Sequence, residues 1–269
     1  MGMTSLAERL VPDELCELFR RVVPETVVVR PQGGGRRRAG DRECLAAIVF
    51  VTTSGCTWRQ VPPLFGPAWP TVYRRFARWS KERVWARLQP VILDELGAHG
   101  ELDWSRFAVD LVSVRALKGA LTGPNPTDRG KNGSKIHLVT DRFGLPVAVA
   151  ISAANTHDSL ALKPLVASTP PIRSRRGPRR RRPDKLHGEK GYDYPYLRRW
   201  LRSRGITPRI ARRGIEASQR LGRHRWLIER TMSWLSGCLR LHRRYERKPE
   251  HFLAFTATTR LINYRRLTK

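Results

Sequence analysis

The 269-residue chain carries 52 lysines and arginines against 23 aspartates and glutamates, a formal net charge of +29. Such a field attracts polyanions, and arginine suits bidentate contact with phosphate groups. No apolar run is long enough to span a membrane, the N-terminus does not resemble a signal peptide, and the cysteines lack zinc-binding spacing. We therefore expect a cytoplasmic, nucleoid-associated protein whose partner is nucleic acid and not a membrane.

The first hundred residues are predicted to be helical, because apolar residues recur there at helical spacing. Helices are expected at about 4–23, 41–53, from Pro70 onward, and at about 82–96. In the third helix an inward stripe is formed by Val72, Phe76 and Trp79, and the basic residues off this stripe are Arg74, Arg75 and Arg78. This is the outline of a helix-turn-helix DNA reader, and a helical bundle with solvated arginines is the alternative. We predict a helical DNA-binding domain over residues 1–100.

The stretch from Phe107 to Arg115 is predicted to be a central strand, because both of its alternating faces are largely apolar. Asp110 lies in the middle of it. A buried unpaired carboxylate is costly, so such groups are paired, protonated or bound to a metal. An arginine partner such as Arg115 is one interpretation. A metal ligand is the other, and it requires further carboxylates from elsewhere in the chain.

The remaining elements suggest a layered fold over residues 101–269. Strands at 135–140 and 145–151 with a short link indicate an antiparallel meander, and Asp158 or Ser159 should cap the next helix. The run at 173–183 is too basic and proline-broken for regular structure, which favours a flexible linker able to clamp a DNA backbone. Further strands and helices alternate, at 185–189, 194–204, 207–210 and 223–238. This order predicts an α/β, ribonuclease-H-like mixed sheet flanked by helices.

Three acids should meet in that fold. Asp110 lies on the first strand, Glu189 follows the strand expected beside it, and Glu229 lies on the last predicted helix. Three carboxylates can hold two Mg²⁺ or Mn²⁺ ions, of which one activates the attacking oxygen of a phosphoryl displacement and the other stabilises the leaving oxygen. A phosphodiester substrate would also account for the positive charge.

Three blocks of the chain resemble the core of bacterial insertion-sequence transposases of the DDE class, insertion sequence five group. They read DLVSVRALKGALTGPNPTDRGKNGSKIHLVTDRFGLPVAVAISAANTHDSLALKPLV, EKGYDYPYLRRWLRSRGITPRIARRG and LGRHRWLIERTMSWLSGCLRLHRRYER. The resemblance extends over roughly residues 58–267. It implies a metal-dependent enzyme that binds the terminal inverted repeats of its element, cuts there, and joins the freed 3′-hydroxyl to target DNA. A homodimer or larger assembly on double-stranded DNA is expected.

The resemblance also implies roles for single residues. Asp110 matches the first catalytic acid of the family and Glu229 the third, and Arg225 is similar to the arginine that accompanies that glutamate near the DNA backbone. The full set of expected DNA contacts is Arg74, Arg75, Arg78, Arg115, Lys190, Arg225 and Arg230.

Position 189 departs from the family pattern, which has aspartate where this chain has Glu189. The extra methylene matters because two-metal geometry tolerates little displacement. Asp193 could substitute as a ligand, although a helix N-cap is its alternative role. The flanking tyrosine and lysine of related enzymes are also missing, since Gly222 and Ser236 hold their positions. The second hypothesis is therefore a catalytically weak or inactive DNA-binding descendant of a transposase. A generic basic nuclease with the same metal site is the third.

Overall fold

The N-terminal part of the chain is helical, as predicted. The structure is a computed structural model that describes residues 5–25, 38–214, 230–233 and 235–267. Its first helices are α1 (Leu6–Leu10), α2 (Asp13–Arg20), α3 (Asp41–Ser54), α4 (Trp69–Lys81) and α5 (Val84–His99). The expected first helix is broken in two before Pro12, because proline lacks the N–H donor and restrains the residue that precedes it.

Helix α4 buries Val72, Phe76 and Trp79, which confirms the predicted inward stripe. The prediction that Arg75 lies off this stripe is wrong. Arg75 is buried, forms an ion pair with Asp41 of α3, and places its guanidinium 5.6 Å from the centre of the Trp79 ring. A long arginine stem can cover apolar surface while its head meets a carboxylate, so this residue ties α4 to α3.

The centre of the molecule is a mixed sheet. Its strands are β1 (Phe107–Ala116), β2 (Gly123–Pro124), β3 (Asn132–Thr140), β4 (Pro146–Ala153), β5 (Lys185–Gly188), β6 (Thr207–Ile210) and β7 (Arg243–Arg244). The order β4-β3-β1-β5-β6 runs across the sheet, with β2 paired to β3 and β7 paired to β1. The pairs β1–β3 and β3–β4 are antiparallel, whereas β5 is parallel to both β1 and β6. This is the predicted ribonuclease-H-like sheet, with β1 at its centre.

Three further helices complete the layers: α6 (Asp158–Ala167), α7 (Pro195–Ser203) and α8 (Pro249–Leu267). The N-cap of α6 is His157, whose Nδ1 accepts a hydrogen bond from the Ser159 N–H. The cap therefore lies one or two residues before the predicted Asp158 or Ser159. Residues 230–233 and 235–236 are also helical, within the helix predicted at 223–238. Within the described ranges, no helix combines the length and apolar character needed to cross a bilayer.

Helix α8, which the sequence pattern did not predict, joins the helical region to the sheet. It packs against α3, α4, α5 and β4, and its Phe255 stacks on Phe76 with ring centres 4.7 Å apart. The apolar core is continuous across residue 100 as a result. A domain boundary at that residue remains a prediction.

The basic run at 173–183 is attached to the body of the protein at several points. Ile172 and Arg180 form an isolated antiparallel bridge, Arg179 pairs with Asp94 of α5, and Arg181 donates to the Thr169 and Ala167 carbonyls. The exposed residues at its start are Arg173, Arg175 and Arg176.

A buried arginine on β7 holds the loop between β1 and β3. Arg244 has no exposed surface and donates to the carbonyl oxygens of Ala120 at 2.7 Å and Glu246 at 2.9 Å. It also donates to Ser134 Oγ at 2.8 Å. One guanidinium thus satisfies acceptors from three parts of the chain.

Replacing this guanidinium should be costly. We expect Arg244→Met to lower the free energy of unfolding by roughly 3–5 kcal/mol, because the change leaves several buried acceptors unpaired. The exposed neighbour Arg243 is the matched control, and Arg243→Met should cost less than about 1 kcal/mol. Urea unfolding of both variants measures the difference. Equal losses would show that the Arg244 hydrogen bonds contribute nothing specific.

Candidate active site on the central strand

The structure brings Asp110 and Glu189 to neighbouring positions. Strand β5 pairs in parallel with β1 through Phe107–Leu186 and Ala108–His187. Two more steps in this register place Glu189, the residue after β5, beside Asp110. A Cβ added to Gly188 would lie 3.0 Å from Val109 Cγ1, which supports this continuation of the register. Continued alternation along the two strands would put both carboxylates on the same face of the sheet, and both residues are half-buried.

The third acid of the prediction, Glu229, lies outside the described residues, as does Arg225. The nearest described residues are Arg230 and Thr231. Arg230 donates to the Phe143 carbonyl at 2.5 Å, and buried Thr231 donates to the Gly144 carbonyl at 2.6 Å. These bonds fasten the described helical residues 230–233 to the turn between β3 and β4.

A buried tyrosine lies near both described acids. Tyr192 follows Glu189 in a short 3₁₀ turn, and 2% of its surface is exposed. Burial raises the pKa of its hydroxyl well above the ordinary value, and the charges of Asp158, Asp110 and Glu189 raise it further. The Tyr192 hydroxyl is therefore a neutral group in a region of concentrated negative charge.

Sequence reasoning favoured a helix start for Asp158 and did not place it near the two described acids. Its Oδ1 lies 2.7 Å from the Nζ of Lys135 on β3. A Cβ added to Gly191 would lie 3.5 Å from its Oδ2, so the turn after Glu189 passes close to this ion pair. The alternating pattern of β3 could have indicated that Lys135 points inward, since it shares a face with His137 and Val139.

Asp193 does not have the helix-capping role considered for it. Its carboxylate accepts two hydrogen bonds from Arg198, at 2.8 and 2.9 Å, and a third from the Arg213 backbone N–H at 2.9 Å. The N-cap of α7 is Tyr194, so the cap interpretation is wrong. This carboxylate anchors the chain between β5 and α7 and forms an ion pair with Arg198.

The expected DNA contacts differ in how accessible they are. Arg74 and Lys190 are exposed, and Arg115 is exposed while pairing with Asp128 at 2.9 Å. Arg78 is half-buried and pairs with Glu82 at 2.9 Å. Arg75 is buried in its ion pair and presents little surface to a ligand.

The donor chemistry suits a hard divalent cation. Carboxylate oxygens are the ligands that Mg²⁺ and Mn²⁺ prefer, and the two described acids lie on or next to the adjacent strands β1 and β5. Across the described parts of the chain, no group of three or more histidine, cysteine, aspartate or glutamate side chains is arranged to hold a metal. Asp110 and Glu189 are two carboxylates of the kind that such an ion binds.

Comparison with known families decides the assignment. Residues 99–264 match the family model described as Transposase DDE domain, and residues 11–89 match the model for transposases of the IS4/5 family (DUF4096). The chain belongs to the DDE transposases of the IS4/5 family. This transposase is 47% identical over 150 residues to the transposase for insertion sequence element IS402 of Burkholderia cepacia, covering 56% of the chain and 70% of the relative.

Two other comparisons are weaker. An IS402 protein of 16.2 kDa from Burkholderia cepacia is 34% identical over 123 residues, which cover 45% of the transposase and 84% of that relative. Among solved structures, the Mos1 transposase paired-end complex matches with 11% identity and a TM-score of 0.27, covering 89% of this chain and 81% of the other. A TM-score of that size does not establish a shared fold, so the fold assignment rests on the strand order and the family match.

The turn between β3 and β4 depends on one buried carboxylate, Asp141, of which 1% is exposed. It accepts hydrogen bonds from the backbone N–H groups of Phe143, Leu145 and Asp103, at 2.9, 2.7 and 3.1 Å. Burial nevertheless raises its pKa to about 7, because desolvation outweighs these bonds.

This carboxyl should make stability depend on pH. Between its ordinary pKa of 3.8 and about 7, the folded state holds a proton that the unfolded state lacks, so stability is lost as pH rises through this window. From pH 5 to pH 8, we expect the wild type to lose about 2–4 kcal/mol more than Asp141→Asn, which cannot titrate. Urea unfolding at both pH values provides the test. Parallel losses in the two proteins would contradict the raised pKa.

Proposed function

We propose that this transposase binds the terminal inverted repeats of an insertion sequence, cuts the DNA there, and joins the freed 3′-hydroxyl to target DNA. The observation that supports the proposal is the parallel register of β1 and β5, which would place Glu189 beside Asp110 if extended by two residues. The net charge of +29 supports a DNA substrate, since it attracts a polyanion over long range. Assembly as a homodimer or larger complex on DNA is part of the proposal.

In this proposal Asp110, Glu189 and Glu229 hold divalent ions, Mg²⁺ or Mn²⁺. Two such ions, when bound, supply the charge neutralisation that an in-line phosphoryl displacement requires. The chain contributes rigid placement. Asp110 lies mid-strand, and β1 pairs with β3 over eight successive residues, so the backbone that carries its carboxylate is held in place. The Tyr192 hydroxyl stays protonated beside these acids and adds no further negative charge.

The surface arginines would position the DNA. Arg74, Arg78, Arg115 and Lys190 are accessible to phosphates in varying degree, and Arg225 and Arg230 flank Glu229 in the sequence. Arg75 is omitted from this set, because a buried guanidinium that already holds Asp41 would have to break that pair.

Two adjacent arginines on α4, Arg74 and Arg75, allow DNA contact and structural pairing to be tested separately. We expect Arg74→Gln to weaken binding of an element-end duplex and to reduce the salt slope of the logarithm of affinity by about one, as for one lost phosphate contact. Arg75→Gln should instead lower the free energy of unfolding and leave the salt slope unchanged. Fluorescence anisotropy across a salt series and urea unfolding measure the two effects. If the salt slope of affinity falls in Arg75→Gln and not in Arg74→Gln, then Arg75 is the DNA contact and Arg74 is not.

Glu189 supports a second candidate function, a DNA-binding protein that has lost most of its catalytic activity. A third, a nuclease without strand joining, would share the carboxylates. Purified protein incubated with a pre-cleaved element end, a plasmid and Mg²⁺ or Mn²⁺ separates the three. Joined products support the transposase, and hydrolysis alone supports the nuclease. Binding without reaction in the wild type, with activity restored by Glu189→Asp, supports the inactive form.

The length of the side chain at position 189 should limit the rate. We expect Glu189→Asp to raise strand joining roughly tenfold or more, because a carboxylate displaced by one methylene is poorly placed for two-metal chemistry. The matched control is Glu250→Asp at an exposed position of α8, which should leave the rate unchanged. Asp110→Asn should abolish joining in either background. If Glu189→Asp slows the reaction, the longer side chain is the one that this site uses.

A further inference from the structure

A cluster of aromatic and basic side chains lies beside Glu189, and the catalytic proposal leaves it without a role. The aromatic cluster consists of His157, Tyr194 and Tyr196, flanked by Lys163 and Arg213. The His157 and Tyr194 rings meet edge to face with centres 5.4 Å apart, and the Tyr194 and Tyr196 ring centres are 5.7 Å apart. The Lys163 ammonium lies 5.0 Å from the Tyr196 ring centre, and the Arg213 guanidinium lies 4.9 Å from that of Tyr194.

Hydrogen bonds hold the cluster in place. The Tyr194 hydroxyl lies 3.1 Å from His157 Nε2 and accepts from the Arg213 guanidinium at 3.1 Å. The Arg213 backbone N–H is held by Asp193. The His157 and Tyr194 rings are thus held in place before any ligand arrives, which lowers the entropic cost of binding one.

The cluster is continuous with the candidate active site. The short turn Lys190–Tyr192 separates Glu189 from Tyr194, and Arg213 Nε donates to the Lys190 carbonyl at 3.2 Å. A ligand on the rings would therefore reach the neighbourhood of the acids.

Core packing explains only part of the cluster: Tyr194 packs partly against the core, whereas His157 and Tyr196 lie at the surface. Tyr196 is 37% exposed, His157 and Arg213 are exposed, and Tyr194 is half-buried. Two of the carboxylates near the cluster each have a cation of their own, Asp158 with Lys135 and Asp193 with Arg198. The charges of Lys163 and Arg213 therefore add to a positive surface around the rings.

Exposed rings flanked by cations suit a single-stranded nucleic acid. Aromatic side chains stack on the faces of unpaired bases while cations contact the phosphates, whereas a duplex presents only base edges and backbone. We propose that the aromatic cluster binds unpaired nucleotides of the DNA strand next to the point of cleavage. The position of that strand rests on the proposed function, whereas the preference for unpaired bases rests on the cluster alone.

The test uses the full chain in EDTA, so that binding is measured without cleavage. Fluorescence anisotropy gives the affinity for a thymidine oligonucleotide and for a blunt duplex of the same length. We expect Tyr196→Leu to weaken single-strand binding about tenfold, within the usual range for one stacked base, and to change duplex binding less than twofold. Tyr196→Phe, which keeps the ring, should bind as the wild type does.

Tyr245 provides a matched control elsewhere on the surface. It is 48% exposed and also has guanidinium groups against its ring, from Arg240 at 5.1 Å and Arg243 at 5.5 Å. Tyr245→Leu should leave single-strand binding unchanged. Equal weakening by both leucine variants, or equal loss of single-strand and duplex binding in Tyr196→Leu, would overturn the proposal.

A second measurement locates the strand. An element-end duplex with an unpaired 2-aminopurine next to the cleavage point should show quenched fluorescence with wild-type protein, and the quenching should be lost in Tyr196→Leu. Quenching that persists in this variant would overturn the placement. Strand joining is assayed separately, so a protein that quenches but never joins DNA would refute the proposed function and leave the single-strand site standing.

Discussion

The parallel pairing of β5 with the start of β1 is the contact on which the candidate site depends. Two residue pairs form it, yet a slip of one residue would move Glu189 to the opposite face from Asp110. Strand β6 limits such a slip by pairing with all four residues of β5. Gly188 contributes as well, because the Val109 side chain occupies the space where a Cβ would lie. The positions of the two acids are therefore set by backbone hydrogen bonds and one missing side chain.

The charge of the chain divides into a structural part and a surface part. Arg75, Arg240 and Arg244 are buried, and each satisfies carboxylates or carbonyls inside the fold. Buried charges need such partners, because desolvation is otherwise prohibitive. A count of basic residues thus overstates the number of DNA contacts. The arginines that remain exposed on α4, on the 173–183 run and around α7 are those that can attract a polyanion without weakening the fold.

Periodicity predicted most of the fold and little of the site. Strands β1, β3 and β4 were placed within a few residues, because their alternation is imposed by burial in the sheet. Helix α8 was missed because it packs against α3, α4, α5 and β4, and contacts on several sides leave its apolar residues without a single periodic stripe. Arg75 was misplaced because a basic residue is expected to be solvent-exposed, and the sequence does not show that its aliphatic stem packs on apolar residues while its guanidinium pairs with Asp41. Which acids meet depends on pairing between segments far apart in the chain, and only the structure supplies that register.

The two described acids differ in how firmly the backbone holds them, and this bears on the glutamate at position 189. Asp110 lies inside a strand that is hydrogen-bonded to β3 along most of its length, so its carboxylate cannot move without breaking the ladder. Glu189 follows the last residue of β5 and caps a short 3₁₀ turn. A turn can absorb a small displacement that a central strand cannot, because fewer hydrogen bonds constrain its dihedral angles. One extra methylene is therefore easier to accommodate at position 189 than it would be at position 110.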